Sequence, residues 1–183
     1  MTLDEQLFYF IHNDLANPFL DTVLPYWREK TTWIPAYLLA AFLLIKKYQW
    51  QGVRLLLLIG LGILIADQLT SSVIKPWVGR PRPCHAPAFV GQIRELVGCG
   101  GHDSFPSSHA SNHFALAMIL SLTWLKKSRA WQWILFLWAT SISLAQVYVA
   151  KHYPVDILIG ALIGLLVASG LVFLYKKGAD DIW

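Results

Sequence analysis

Residues 53–83 read VRLLLLIGLGILIADQLTSSVIKPWVGRPRP, and this stretch decides the fold class. From Val53 to about Ile74 it is long and apolar enough to cross a hydrocarbon core of about 30 Å as one helix. Its last third carries Asp67, Gln68, Thr70, Ser71 and Ser72, and polar side chains inside a span belong against neighbouring helices rather than lipid. A helix bundle is therefore expected. Asp67 has two readings: a carboxylate satisfied by polar groups on the next helix, or the orienter of a basic side chain. At Lys75 the apolar run stops, and Lys75, Arg80 and Arg82 alternate with Pro76, Pro81 and Pro83. Fixed cations beside helix-breaking prolines make a rigid positive rim at one end of the span. Alone, such a rim also fits a basic patch that holds lipid headgroups.

Outward from this stretch the apolar pattern recurs, with expected spans at about Thr31–Ile45, Ser108–Leu125, Trp131–Val149 and Pro154–Tyr175. The expected fold is an all-α polytopic membrane bundle of about five transmembrane helices, residues 1–183 forming one domain. Of 183 residues, 56% are hydrophobic and 14% charged, well below the quarter or so that soluble domains carry; the mean hydropathy is +0.48. The net charge of +4 does not indicate nucleic acid, because the basic residues cluster between apolar segments instead of lining a face. Lys46, Lys47 and Arg54, then Lys126, Lys127 and Arg129, then Lys176 and Lys177 fall on one side of a five-span chain, which the positive-inside rule makes cytoplasmic. No removable secretory signal is recognisable, so the first helices are expected to direct insertion. Residues 1–30 are too interrupted to span; Leu3, Leu7, Phe10, Ile11 and Leu15 at helical spacing suggest an amphipathic helix in the interface plane, with a frayed soluble tail as the alternative, and Trp27 and Trp33 follow as interfacial anchors. Gly160 and Gly164 allow a close helix approach, within the fold or across a dimer.

Residues 75–106 form the one long connection, extracytoplasmic on this topology. Cys84 and Cys99 lie within it. A disulfide there would close about fifteen residues and stabilise the loop by roughly 3 kcal/mol; free thiols and a metal role are the alternatives, and no four-ligand zinc spacing is present.

Three short stretches meet at that face. The first is the rim, Lys75 to Pro83. The second, FPSSHASNH (Phe105–His113), places Ser107 or Ser108 to cap a helix whose free N–H groups form an anion site, with His109 in the first turn. The third, AQVYVAKHYPVD (Ala145–Asp156), sets His152 four residues before Asp156. If a helical turn includes both, the carboxylate holds one ring nitrogen and frees the other as a nucleophile. Cations, helix-end donors and two histidines suit phosphoryl transfer, where charge spreads over the equatorial oxygens. No glycine-rich ATP loop is present.

These residues resemble the type 2 phosphatidic acid phosphatase (PAP2) superfamily, marked by K-x6-RP, PSGH and SR-x5-H-x3-D. Lys75 through Arg82-Pro83 matches the first motif. Pro106-Ser107-Ser108-His109 matches the second, with Ser for Gly. His152 and Asp156 match the third, but Ala145-Gln146 replaces Ser-Arg. The resemblance implies an acid-phosphatase-like core in which His152 is the nucleophile that becomes a phosphohistidine, Asp156 its orienting base, and His109 the acid on the leaving oxygen. Lys75, Arg82, Ser107, the Ser108 N–H and Gln146 would bind phosphate, with Arg80 and Lys151 as possible headgroup contacts; no metal or cofactor is implied. Gln146 replaces a cationic fork with a neutral amide. That leaves a natural variant compensated by Lys151 or Arg80, an attenuated or engineered enzyme, or a nearly inactive lipid-phosphate binder. The implied activity is hydrolysis of a lipid phosphate or diphosphate at the periplasmic face of a bacterial inner membrane. Undecaprenyl diphosphate leads; phosphatidylglycerol phosphate, phosphatidic acid, lipid A phosphate and transfer to a lipid acceptor stay open.

Overall fold

The computed structural model describes residues 1–178. Its helices are α1 (Leu3–Tyr9), α2 (Pro18–Trp27), α3 (Lys30–Tyr48), α4 (Trp50–Gln68), α5 (Lys75–Val78), α6 (Ser108–Leu122), α7 (Arg129–Tyr148) and α8 (Pro154–Gly178). Among the described residues the only β feature is an isolated bridge between Pro81 and Asp103, so the all-α expectation holds.

α4 does not end where the sequence suggests. It widens into a π turn over Leu69–Ile74 and continues as α5, stopping at Gly79 in the left-handed region with φ 61°. The wider turn explains why Pro76, which has no N–H to give, is tolerated so near the end of a helical run. Lys75 thus sits on helical backbone rather than at the start of a loop.

α6 is the hub, packed against α4, α7 and α8. Its closest neighbour is α8, and glycine is the reason. A Cβ on Gly160 would collide with the Ser107 carbonyl, and one on Gly164 with the Ser111 carbonyl. The Gly160/Gly164 face is filled from within the fold, which resolves the two readings of that pair. Leu55, Leu58, Ile59 and Ala66 of α4 join Ala115, Ile119 and Leu120 of α6 and Ala168 and Val172 of α8 in one core.

Away from that core, Leu38 and Phe42 of α3, Leu57 and Leu64 of α4, Leu137 of α7, and Leu158, Leu166 and Phe173 of α8 are exposed. So much outward apolar surface belongs against lipid. Among the described residues two helical runs, Trp50–Val78 and Pro154–Lys177, are long and apolar enough to cross a membrane, against the expected count of about five. α6 shows why the sequence count is larger: it ends at Leu122 rather than Leu125, is 15 residues long and so about 22 Å, and carries polar residues inward.

The N-terminal segment is two helices, not one. Thr2 and Glu5 form a capping box on α1, and Asn17 caps α2. Leu3, Leu7, Phe10 and Leu15 are exposed, as an interfacial face requires, but Phe8 and His12 are fully buried. Phe8 stacks edge-on against Phe89 (4.9 Å) and Tyr153 (5.6 Å). His12 Nδ1 donates to the Tyr148 carbonyl at 2.6 Å, while its Nε2 accepts from the Arg94 N–H at 3.0 Å. The segment is a strap clamped onto the loop and the end of α7, a role invisible in its amphipathic spacing.

Candidate active site

The start of α6, the end of α7 and the start of α8 meet beneath the 75–106 loop. Ser107 is the N-cap of α6, its Oγ accepting from the Ala110 N–H at 3.4 Å, and its own N–H donates to the Asp156 carbonyl at 3.0 Å. That bond ties the second and third motifs together. Ser108, where the family pattern has Gly, is absent from the positive-φ residues; its Oγ lies 3.1 Å from Thr70 Oγ1 and 2.7 Å from Ser71 Oγ. The extra hydroxyl links α6 to the widened turn of α4. Asp67 accepts from Asn112 Nδ2 at 2.9 Å, in line with its structural reading.

After α7, Ala150 adopts φ 59° and turns the chain so that His152 comes before α8 rather than in it. The expected helical turn through His152 is therefore absent. The carboxylate reaches the histidine another way: Asp156, third residue of α8, folds back so that Oδ2 accepts from the Tyr153 N–H at 2.8 Å, half of a capping box. His152 Nδ1 then stands 3.5 Å from Oδ2. Asp156 Oδ1 accepts from Arg80 at 2.8 Å, while the other Arg80 amine donates to Asp4 of α1 at 2.7 Å. The guanidinium lies 3.8 Å over the Tyr153 ring. Arg80 is thus engaged inside the fold rather than with a headgroup, because two carboxylates and an aromatic face hold it. Burial pushes the His152 imidazole down to about 4 despite the opposing pull of Asp156, so the ring is neutral near pH 7.

Three further cations are wrapped by loop carbonyls. Lys75 Nζ donates to Ser104 O (3.1 Å) and Pro106 O (3.0 Å); Arg82 donates to Cys99 O (2.7 Å) and Asp103 O (3.1 Å). Lys151 Nζ donates to the carbonyls of Gly98 and Cys99. Burial, then the charges of Arg82 and Arg28, lower Lys151 to about 8. Lys151 thus ties the loop to the turn after α7. Cys84 and Cys99 meet sulfur to sulfur with Cα atoms 6.0 Å apart, holding the loop's two arms together. Lys75 and Arg82 both lie within electrostatic reach of His152.

Gln146 is buried at the end of α7, and its Oε1 accepts from Arg28 Nε at 3.0 Å. Arg28, just after α2, belongs to no motif; its one sequence signal is its place between Trp27 and Trp33. Its charge bears on Arg82, Lys151 and His109. His109 opens α6 with its carbonyl accepting from His113 Nδ1 at 2.7 Å. Beside it lies a cavity of about 510 Å³, lined by Ala40, Leu44, Ile59, Ile63 and Leu116 with Lys30, Asp67 and Asn112. It is an apolar slot between α3, α4 and α6 that reaches a histidine.

Residues 51–179 match the PAP2 superfamily. A lipid A 4'-phosphatase of Bacteroides thetaiotaomicron is 34% identical over 166 residues, covering 88% of this chain and 72% of that protein. Another from Porphyromonas gingivalis is 30% identical over 176 residues, covering 94% and 72%. The crystal structure of Aquifex aeolicus LpxE superposes with a TM-score of 0.70 at 24% identity, over 94% of this chain and 96% of that one.

Proposed function

The chain belongs to the PAP2 superfamily, and on that premise we propose that it hydrolyses a lipid phosphate through a phosphohistidine on His152. The observation that carries this reading is the buried His152–Asp156 pair, with the carboxylate pinned by Arg80 and the Tyr153 N–H. Asp156 holds the proton-bearing Nδ1, and the free Nε2 electron pair attacks phosphorus while the bond to the lipid oxygen breaks. His109 gives its proton to that oxygen, then takes one from the water that attacks the phosphohistidine and releases phosphate. Lys75, Arg82, Ser107 and the Ser108 N–H stabilise the equatorial oxygens; Lys75 and Arg82 exchange loop carbonyls for phosphate as substrate enters.

The apolar slot beside His109 supports a lipid substrate delivered laterally. The lipid A 4'-phosphatase relatives move a lipid A phosphate ahead of undecaprenyl diphosphate as the first substrate to test. In this reading α3, α4, α6, α7 and α8 form about five spans, the lysine-bearing ends face the cytoplasm, and the loop, its Cys84–Cys99 disulfide and the active site face the exterior of a bacterial inner membrane. The exposed face of residues 1–30 rests on the interface.

The test is phosphate release by the detergent-purified chain from lipid A, undecaprenyl diphosphate, phosphatidylglycerol phosphate and phosphatidic acid. Release that falls by about 10⁴ or more in His152→Ala is expected. Turnover that survives that substitution rules out His152 as nucleophile, and retained lipid binding without turnover in the parent chain makes the protein a binder.

A further inference from the structure

The third motif of this chain lacks the arginine that the family pattern places at position 146. Arg80 is held by Asp4 and Asp156, and Lys151 by loop carbonyls. Arg28 is arranged differently. Its backbone is fixed on α7 by its neighbours: Trp27 Nε1 donates to Ser141 Oγ at 2.9 Å, Trp33 Nε1 donates to the Trp27 carbonyl at 2.8 Å, and the Trp33 ring packs edge-on against Trp27 (4.7 Å) and Trp138 (5.3 Å). Residues 27 and 28 therefore grip α7 at positions 141 and 146, little more than one turn apart.

The Arg28 side chain is 12% exposed, and its Nη1 lies 3.5 Å from Glu29, whose side chain is 40% exposed. Gln146 takes only the Nε edge of the guanidinium, and Nη2 has no partner among the described residues. A second, independent observation sits beside it. Gln146 is 1% exposed, yet its Nε2 has no hydrogen-bond partner among the described residues. A buried N–H left without an acceptor costs about 1–3 kcal/mol, a cost that an acceptor oxygen brought by a ligand would relieve. Electrostatically, Arg28 is already one of the cluster, bearing on Arg82, Lys151 and His109.

We propose that Arg28 and Gln146 together replace the motif arginine, the Arg28 guanidinium and the unpartnered Gln146 Nε2 binding the oxygens of the substrate's phosphoryl group. The cation comes from the N-terminal strap instead of α7, and Gln146 is its holder as well as a donor. The strap thereby becomes part of the phosphate site, and the chain needs residues well outside its motifs to stabilise transition-state charge. This inference rests on the lipid-phosphate reading for its substrate but makes a separate claim about anion binding.

The experiment compares the parent chain with Arg28→Ala, Arg28→Lys, Gln146→Arg and the double variant Arg28→Ala/Gln146→Arg, all purified in detergent with melting temperatures recorded. Two readouts are taken: kcat and KM for phosphate release from the best lipid, and affinity for orthovanadate, a mimic of the transferring phosphoryl group, from tryptophan fluorescence. Arg28→Ala is expected to lower kcat/KM by about 10² to 10³, mostly in kcat, and to weaken orthovanadate at least about tenfold. The double variant restores both to within about tenfold, because the charge returns from the motif position. Arg28→Lys recovers part of the loss, since it keeps charge without the fork.

Arg28→Ala within about threefold of the parent overturns the proposal, as does a loss that the double variant fails to recover, which would make Arg28 a structural pin. A parent chain that hydrolyses no lipid but binds orthovanadate in an Arg28-dependent manner keeps this proposal and sinks the hydrolytic one. A parent chain that hydrolyses lipid phosphate with Arg28 dispensable does the reverse, and one that neither turns over nor binds orthovanadate defeats both.

Discussion

The two sides of the phosphate site are built on opposite terms. On the Asp156 side the charges are closed on one another: Arg80 spans two carboxylates, Asp156 accepts from both Arg80 and the Tyr153 N–H, and Tyr153 roofs the guanidinium. On the Gln146 side the buried amide keeps an unused donor and holds an arginine by one edge. On the closed side the carboxylates and the guanidinium are spent on one another, with Asp156 Oδ2 3.5 Å from His152 Nδ1. The open side keeps unspent donors, the ones proposed above to meet the anion.

The strongest way to break this comparison is Asp156→Asn. The amide keeps the shape but removes the charge that steadies the imidazolium-like nitrogen in the transition state, and turnover should fall roughly 10³- to 10⁴-fold, with little change in orthovanadate affinity. If binding falls as much as rate, the Asp156 side also contacts ligand and the division fails. Next in size is Arg80→Ala, which opens the closed side and leaves a buried carboxylate without its cation; a drop of about 10- to 100-fold in kcat is expected, with Asp4→Ala costing less because Asp4 holds the far amine and the Val155 N–H but does not touch Asp156. Equal losses in kinetics for the two would place the strap contact, not Asp156 orientation, in control.

The pH dependence sharpens the same point. With His152 held down to about 4, the nucleophile stays neutral well below the ordinary histidine range, and the acid limb of kcat/KM that belongs to it should lie near 4. Asp156→Asn should move that limb lower, since the carboxylate is what favours the charged ring. For stability the sign is fixed by burial: between the ordinary 6.5 and about 4 the unfolded chain takes up a proton that the folded His152 refuses. Unfolding free energy contributed by this group is therefore intact above 6.5 and lost as pH falls through that window. A His152→Gln variant, melted across the same range, should show a flatter profile. The smallest effect is expected at Ala150, whose φ of 59° costs a residue with a Cβ about 1 kcal/mol. Ala150→Gly should raise the melting temperature slightly and leave kinetics alone; a fall in activity would mean that the strained turn aims His152.

How much of this was legible in the chain depends on distance along it. Helix positions, the cap at Ser107, the small-residue seam of Gly160 and Gly164, and the order of the three motifs are written in spacings of a few residues, where periodicity and capping act locally. Even the error at Pro76 was local, because nothing in sequence announces a π turn. The strap is different. Leu3, Leu7, Phe10 and Leu15 correctly mark an exposed apolar face, but the same segment's buried Phe8 and His12 find partners at Phe89, Tyr153, Tyr148 and Arg94, and no local spacing encodes those.

The sequence by itself determined that this is an all-α PAP2 chain whose three motifs carry His109, His152 and Asp156, because hydrophobic length and motif spacing are short-range properties of the polymer. Only the tertiary structure decided which cations are spent on carboxylates and carbonyls, and which one lies beside Gln146. Charges pair by proximity in space, and the fold brings together Arg28 and Gln146, 118 residues apart, by packing α2 on α7.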